Sequence, residues 1–303
     1  MELKELEYVV AVAEEGSISK AAERLYMAQS SLSQFISRYE AELDTRLFTR
    51  TAGGIRLTQA GKLFVQNAQQ ILQQYRNLKE ELMDMSLPSR GRIEFGVSTY
   101  RGSYLIPKVL RQFNLQYPNV EVVIHEHDSA VLEKKIATGE HDISLLAFWN
   151  RQPSYKASTV MRDEVLIVTK KDHPVIQHVR QDNSGHSFVD IADILDYEYL
   201  LSSRSTMLGT IANQLFEQHG KHPKAINENL SAALAAAMAR EGLGLAFTYR
   251  SCMEKRHDVE YLGIGPDRCF VDLVLMYPPD GYRSKAIRAL EKIVRQHIAQ
   301  AEK

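Results

Sequence analysis

The chain has 303 residues, which suggests about two domains at roughly 100–200 residues each. It is 44% hydrophobic and 25% charged, a composition that excludes intrinsic disorder and collagen-like structure. The net charge of −1 gives no support for a nucleic-acid partner. No run approaches the roughly 18 apolar residues of a membrane helix. The start, MELKELEYVV, lacks a basic segment followed by an apolar one. Cys252 and Cys269 form neither a metal-ligand spacing nor a disulfide framework. A reduced, cytoplasmic location without a membrane partner is the expectation.

Charge placement says more than the total. Residues 1–60 carry seven Lys/Arg against nine Asp/Glu. Within 24–62 the balance reverses: Arg24, Arg38, Arg46, Arg50, Arg56 and Lys62 face Glu40, Glu42 and Asp44. A local basic face is therefore available.

The spacing of Leu6, Val9, Val10 and Ala13 predicts a helix over 3–15 that Gly16 ends. A second helix is predicted at 19–26, with Ser19 as its cap and Ala21, Ala22 and Leu25 inward. Tyr26 and Met27 turn the chain. A third helix over 30–43 buries Leu32, Phe35, Ile36, Tyr39 and Leu43, and leaves Gln29, Ser30, Ser31, Ser33, Gln34 and Arg38 outward. Two short helices joined by a tight turn describe a helix-turn-helix. A helix start carrying Gln, Ser and Arg can reach base edges and phosphates in a major groove. Spacing alone also permits a small helical subdomain with a solvated polar face. After 47–50, Gly53 and Gly54 sit between two extended runs and predict a hairpin. Its Arg50 and Arg56 either reach DNA or are simply solvated.

The run EEGSISKAAERLYMAQSSLSQFISRYEAELDTRLFTRTAGGIRLTQAG, residues 14–61, resembles the N-terminal domain of LysR-type transcriptional regulators. The Gly-Ser-x-x-x-Ala-Ala-x-x-Leu block, the Gln-x-x-Leu-Ser helix start, the Arg-Leu-Phe-x-Arg wing and the closing Leu-Thr-x-Ala-Gly occur in the family's order. Three positions depart from its pattern. Ser30 stands where the family usually has Pro, Gln34 where Arg is frequent, and Tyr39 where Leu is usual. Gln34 would favour adenine over guanine.

Over 59–86, Phe64, Ala68, Ile71, Tyr75, Leu78, Leu82 and Met85 alternate at four- and three-residue spacing. So narrow a seam predicts a coiled-coil dimer helix, with an internal core helix as the alternative. The resemblance implies the same: a linker helix that pairs two winged domains. Leu87, Pro88, Ser89, Arg90 and Gly91 read as a hinge.

From 92 onward strands alternate with helices. Strands are predicted at 92–97, 120–126, 142–148, 160–169, 225–229, 244–248 and 271–277. Helices fall at 103–117, 131–138, 206–219, 231–241 and 282–300. The pattern implies mostly parallel sheets covered by helices. The resemblance implies a two-lobed type II periplasmic-binding-protein-like effector domain. The expected division is 1–58 for the winged helix-turn-helix, 59–88 for the linker and 89–303 for the effector domain. Lobe I would comprise 92–161 and 269–303, and lobe II 162–268.

Open α/β lobes bind ligands beyond the carboxyl ends of strands, where helix starts offer free N–H groups. Ser98, Thr99, Tyr100 and Ser103 fall there in one lobe, and Ser202, Ser203 and Thr206 in the other. Such hydroxyl-rich starts suit a small carboxylate, although ordinary capping also explains them. Phe148, Trp149 and Thr248 are candidate walls; Trp149 reads equally as inter-lobe packing. Tyr249 stands where the family commonly has Pro.

His125-x-His127 lacks an acid or Cys partner, and Gly242–Gly244 lies between helix and strand, the wrong order for a phosphate loop. Neither a cofactor nor a metal is expected, and no catalytic constellation stands out. The expectation is thus a DNA-binding regulator rather than an enzyme. Its partners would be double-stranded promoter DNA, a small-molecule effector, further copies of itself as dimer or homotetramer, and RNA polymerase if it activates. The alternative is an enzyme or solute-binding protein on the same two-lobed fold.

Overall fold

The computed structural model describes residues 2–51, 54–86, 91–155 and 157–301. The chain forms two compact units. In the first, α1 (Leu3–Glu15), α2 (Ile18–Arg24) and α3 (Gln29–Glu42) precede a hairpin of β1 (Phe48–Thr51) and β2 (Gly54–Leu57). A long helix, α4 (Gln59–Ser86), follows. Gly53 and residues 87–90, parts of the expected turn and hinge, lie outside the described residues.

Local chemistry sets these boundaries. A capping box joins Glu2 and Glu5 at the start of α1, and Gly16 ends it in the left-handed region at φ 59°. The cap of α2 is Ser17, whose side chain accepts from Lys20 N–H, rather than Ser19. Helical geometry begins at Ile18 and places Ser19 on an exposed face inside the helix. Leu6, Val9, Ala21, Leu32, Ile36 and Ala68 share one buried core. Leu43 stays largely exposed, because α3 ends one residue before it.

Rings of Tyr8, Phe35, Tyr39 and Phe64 meet in sequence at 5.1, 5.4 and 5.8 Å, tying α1 through α3 to α4. This gives Tyr39 its packing role. Glu40 accepts from the N–H groups of Leu47 and Phe48, at 2.7 and 2.8 Å, and fastens the hairpin to α3. Thr58 donates its hydroxyl to the Arg46 carbonyl and accepts from Gly61 N–H. A Cβ on Gly61 would strike the Leu47 carbonyl. Much of the motif therefore shapes the fold.

The second unit contains β3 (Gly91–Val97), α5 (Thr99–Gln116), β4 (Val120–Glu126), α6 (Ser129–Ala137), β5 (Ile143–Phe148) and β6 (Ala157–Lys170). Next come β7 (Arg180–Gln181), β8 (Ser187–Val189), α7 (Ile191–Ile194), β9 (Glu198–Ser202), α8 (Met207–Glu217) and β10 (Lys224–Leu230). The chain continues through α9 (Ala232–Arg240), β11 (Ala246–Tyr249), β12 (Val259–Ile264), β13 (Cys269–Met276) and α10 (Lys285–Ala301). Parallel pairs β4–β3 and β3–β5 continue into antiparallel β13. Elements α5 and α10 share one core on this sheet; α6 shares another.

The sheet is more antiparallel than the alternation alone predicts. β6 pairs antiparallel with β13, β11 and β12, since it and β13 cross between lobes instead of returning through a helix. Its ladder to β13 reaches Val165, where its ladder to β11 ends. The short strands β7 and β8, together with β9, β12 and α7, had no strong periodic signal. They complete lobe II, whose core joins α8, α9, β6, β9 and β11.

Candidate functional site

Gln29, Ser30, Ser31, Gln34 and Arg38 are exposed on α3, while Leu32, Phe35, Ile36 and Tyr39 are buried. Ser33 is half-buried. The 3.6-residue repeat separates the two sets. Ser19 and Arg56 are exposed, whereas the Arg50 side chain lies outside the described residues. Arg24 pairs with Glu14 at 2.6 Å and Glu15 at 3.3 Å, so its charge is largely spent inside the unit. Tyr26, 98% exposed at positive φ, marks the turn between α2 and α3.

The proposed seam on α4 divides. Ala68 is buried in the first unit's core and Phe64 packs against it. Both serve this unit's own packing, because the first turns of α4 lie on its core. Beyond them Ile71, Tyr75, Leu78, Leu82 and Met85 are all exposed, Met85 at 79%. An exposed line of large apolar residues is characteristic of a surface that meets another chain.

In the second unit a cavity of about 310 Å³ opens between the lobes. The starts of α5, α6, α8 and α9 surround it. Ser98, Thr99, Tyr100, Ser103 and Thr206, all singled out from the sequence, line it. So do Arg101, Glu126, Asp128, Ser129, Met207, Leu208, Ser231, Ala232, Ala233 and Tyr249. Thr206 and Ser231 cap their helices by accepting from Gly209 and Leu234 N–H. A Cβ at Gly209 would meet the Ser203 carbonyl, so glycine lets this first turn close on the preceding loop.

Under the cavity Arg101, 4% exposed, donates Nε–H to Asp163 at 3.0 Å and lies 3.4 Å from the Tyr249 ring centre. Asp163 also accepts from the Ser251 hydroxyl and N–H. Burial opposes the Arg101 charge, but Tyr249 and Asp163 outweigh it and raise its pKa. Its Nη2 is enclosed without an acceptor among the described residues. Burial pushes the Tyr249 hydroxyl up to about 12. The next residue on β6, Glu164, is also buried, and Arg250, Arg268 and His186 surround it. Strand alternation sends these adjacent carboxylates to opposite faces of the crossing strand.

Other expected wall residues fall elsewhere. Phe148 is buried with Leu132, Ile136 and Met276 because β5 turns it toward α6. Trp149 lines a separate groove with Arg162, Arg268 and Phe270. Ser202 borders a small pocket beside Asn213 and His222, and Ser203 hydrogen-bonds Ser205. Both precede the α8 start that reaches the cavity. Thr248 is buried and shares a 2.7 Å hydrogen bond with the Tyr100 hydroxyl, a link between lobes. The sequence signal for the missed acids was modest: Glu126 ends a strand and Asp128 precedes a helix.

The rings of His125 and His141 stack at 4.9 Å; those of His127 and His141 lie 6.4 Å apart. Burial lowers His141 to about 4. Among the described residues no group of three His, Cys, Asp or Glu is arranged to hold a metal. Burial pushes Cys252 up to about 12 and Cys269 to about 11, which keeps both as weakly nucleophilic thiols. No helix among those described is long and apolar enough to cross a membrane.

A family model described as bacterial regulatory helix-turn-helix protein, lysR family, matches residues 3–62. Another, the LysR substrate binding domain, matches residues 87–299. YcgK of Bacillus subtilis, described as an uncharacterized HTH-type transcriptional regulator, is 28% identical over 313 residues, covering 99% of this chain and 96% of that protein. A Thalassiosira pseudonana protein described as a probable RuBisCO transcriptional regulator is 30% identical over 293 residues, 94% of each chain. Full-length OxyR from Pseudomonas aeruginosa, solved as a variant, is similar at a TM-score of 0.69 and 23% identity, covering 97% of this chain and 98% of that one. That last likeness concerns the fold.

Proposed function

This chain belongs to the LysR family of helix-turn-helix regulators, and from that premise we propose that a small molecule in the inter-lobe cavity controls how it sits on promoter DNA. The observation that carries the DNA half of this reading is the exposed polar face of α3. Gln29 and Gln34 have the donor and acceptor pair that matches adenine, and Arg38 can meet a phosphate. Ser19, Ser30, Ser31, Ser33, Arg50 and Arg56 complete the assigned surface. The exposed apolar line on α4 pairs two chains, so two weakly basic heads read two half-sites. The second contact then becomes effectively intramolecular.

The cavity supplies the control. Ser98, Thr99, Tyr100, Ser103 and Thr206 would contact the effector, whose anionic group suits the helix starts. A ligand that favours one lobe arrangement shifts the population of subunit packings and so the spacing of the heads. In a tetramer several half-sites are held at once, and in an activating role the bound assembly would present a surface to RNA polymerase.

Selection of genomic fragments by the full-length protein, followed by footprinting, tests the reading. Palindrome-centred protection over several helical turns is expected. Gln29→Ala and Gln34→Ala should each weaken the selected site by about 1–3 kcal/mol while leaving the melting temperature unchanged. Folded, dimeric protein that enriches no sequence would overturn it.

A further inference from the structure

The cavity carries charges that a simple carboxylate does not match. Its anion-favouring side is well built. At the start of α8, Thr206 occupies Gly209 N–H; at the start of α9, Ser231 occupies Leu234 N–H. Helix geometry gives the N–H groups of Met207, Leu208, Ala232 and Ala233 no acceptor within their own helices, and these four residues line the cavity. An independent feature points the same way: Arg101, almost wholly buried at the cavity wall, has an Nη2 with no acceptor among the described residues. An enclosed guanidinium nitrogen in that state calls for an incoming oxygen.

The opposite side is acidic. Glu126 ends β4 and Asp128 caps α6, and both line the same cavity. Neither has an ion-pair partner among the described residues. Among the described residues the Asp128 carboxylate accepts the Ser205 hydroxyl, at 2.7 Å, across from lobe II. Asp163 already neutralises Arg101, so the two lining carboxylates leave the cavity with excess negative charge. A ligand bearing only a carboxylate would meet like charge, and one bearing only an amine would leave the N–H groups and Arg101 unanswered.

We propose that the effector is a small zwitterion of the amino-acid type, its ammonium held by Glu126 and Asp128 and its carboxylate by the α8 and α9 starts with Arg101. The proposal rests on the reading of this cavity as the effector site and adds the ligand's charge. Met207, Leu208, Ala232 and Ala233 offer apolar surface to a short side chain. The ammonium competes with Ser205 for Asp128, which couples occupancy to a contact between lobes.

The test is thermal denaturation of the full-length protein with three matched series: common L-amino acids, the same acids without the amino group, and the same amines without the carboxylate. At least one amino acid should raise the melting temperature while its deaminated and decarboxylated counterparts do not. The Glu126→Gln/Asp128→Asn variant should bind that amino acid about 100-fold more weakly, with its own unliganded melting temperature preserved. Acids that bind as well as their amino-acid counterparts would overturn the charge assignment, as would a screen in which no amino acid binds. Operator binding measured in parallel separates the two levels. If acids alone change it, the cavity remains the effector site and only the zwitterion falls. If no series binds or changes it, and the cavity-filling Ala233→Trp also leaves it unchanged, the effector reading falls too.

Discussion

The polar face of α3 and the inter-lobe cavity use similar side chains in opposite ways. On α3 the groups lie within ten positions of one helix, and helical repeat alone holds them together. The cavity gathers residues from Ser98 to Tyr249, and no single element presents more than a few. The first surface is a rigid local pattern suited to reading another periodic molecule. The second exists only when two lobes are in register, so a ligand can act on that register.

The largest test of this contrast removes pairing and leaves the local face intact. Leu78→Glu with Leu82→Glu should abolish the dimer, measured by analytical ultracentrifugation, and weaken two-half-site binding by about 10²–10⁴-fold. Binding to one half-site should hardly change. Equal loss on both would mean that the substitutions damage the head itself.

Arg101→Met probes the assembled region. It leaves the buried Asp163 without its cation and should cost about 3–5 kcal/mol in urea unfolding. A loss below about 1 kcal/mol would mean that Ser251 alone satisfies the carboxylate. Fragment selection through the polar face of α3 should be unaffected.

Acid should affect the two regions unequally, because the first 86 residues contain no histidine. His141 is lowered to about 4, mainly by burial and then by His125 and Lys135. His127 and Glu140 also face it. The unfolded chain therefore takes up the proton first. The resulting stability is complete above pH 6.5 and is lost as pH falls toward 4. It amounts to about 3 kcal/mol. His141→Gln should flatten the urea-midpoint slope across that window; an unchanged slope would remove His141 as the cause.

The smallest effect concerns a cap. Ser17→Ala should destabilise the protein by about 1 kcal/mol, whereas Ser19→Ala should fall within about 0.5 kcal/mol. Equal effects would erase the distinction between the two serines.

Legibility followed the same division. The boundaries of α1, α3 and β4 were readable to within a residue, because their apolar periods and stops are local. The lining of the inter-lobe cavity was only half readable. Ser98 and Thr206 announce themselves as helix starts, but Phe148 and Trp149 lie away from the cavity because strand ends give no sign of which face survives packing. Glu126 and Asp128 looked like an ordinary strand end and cap.

By itself the sequence determined a helix-turn-helix with a hairpin, a long helix with an apolar line, and an alternating α/β region. Each depends on periods and turns spanning a few residues. Tertiary structure decided what the long-range pairings create. Arg101 met Asp163 across 62 positions, and Tyr100 met Thr248 across 148. The crossing of β6 and β13 set the lobes facing each other, bringing Glu126 and Asp128 into one cavity with the starts of α8 and α9. Contacts between distant segments depend on how whole layers pack, and no local pattern encodes them.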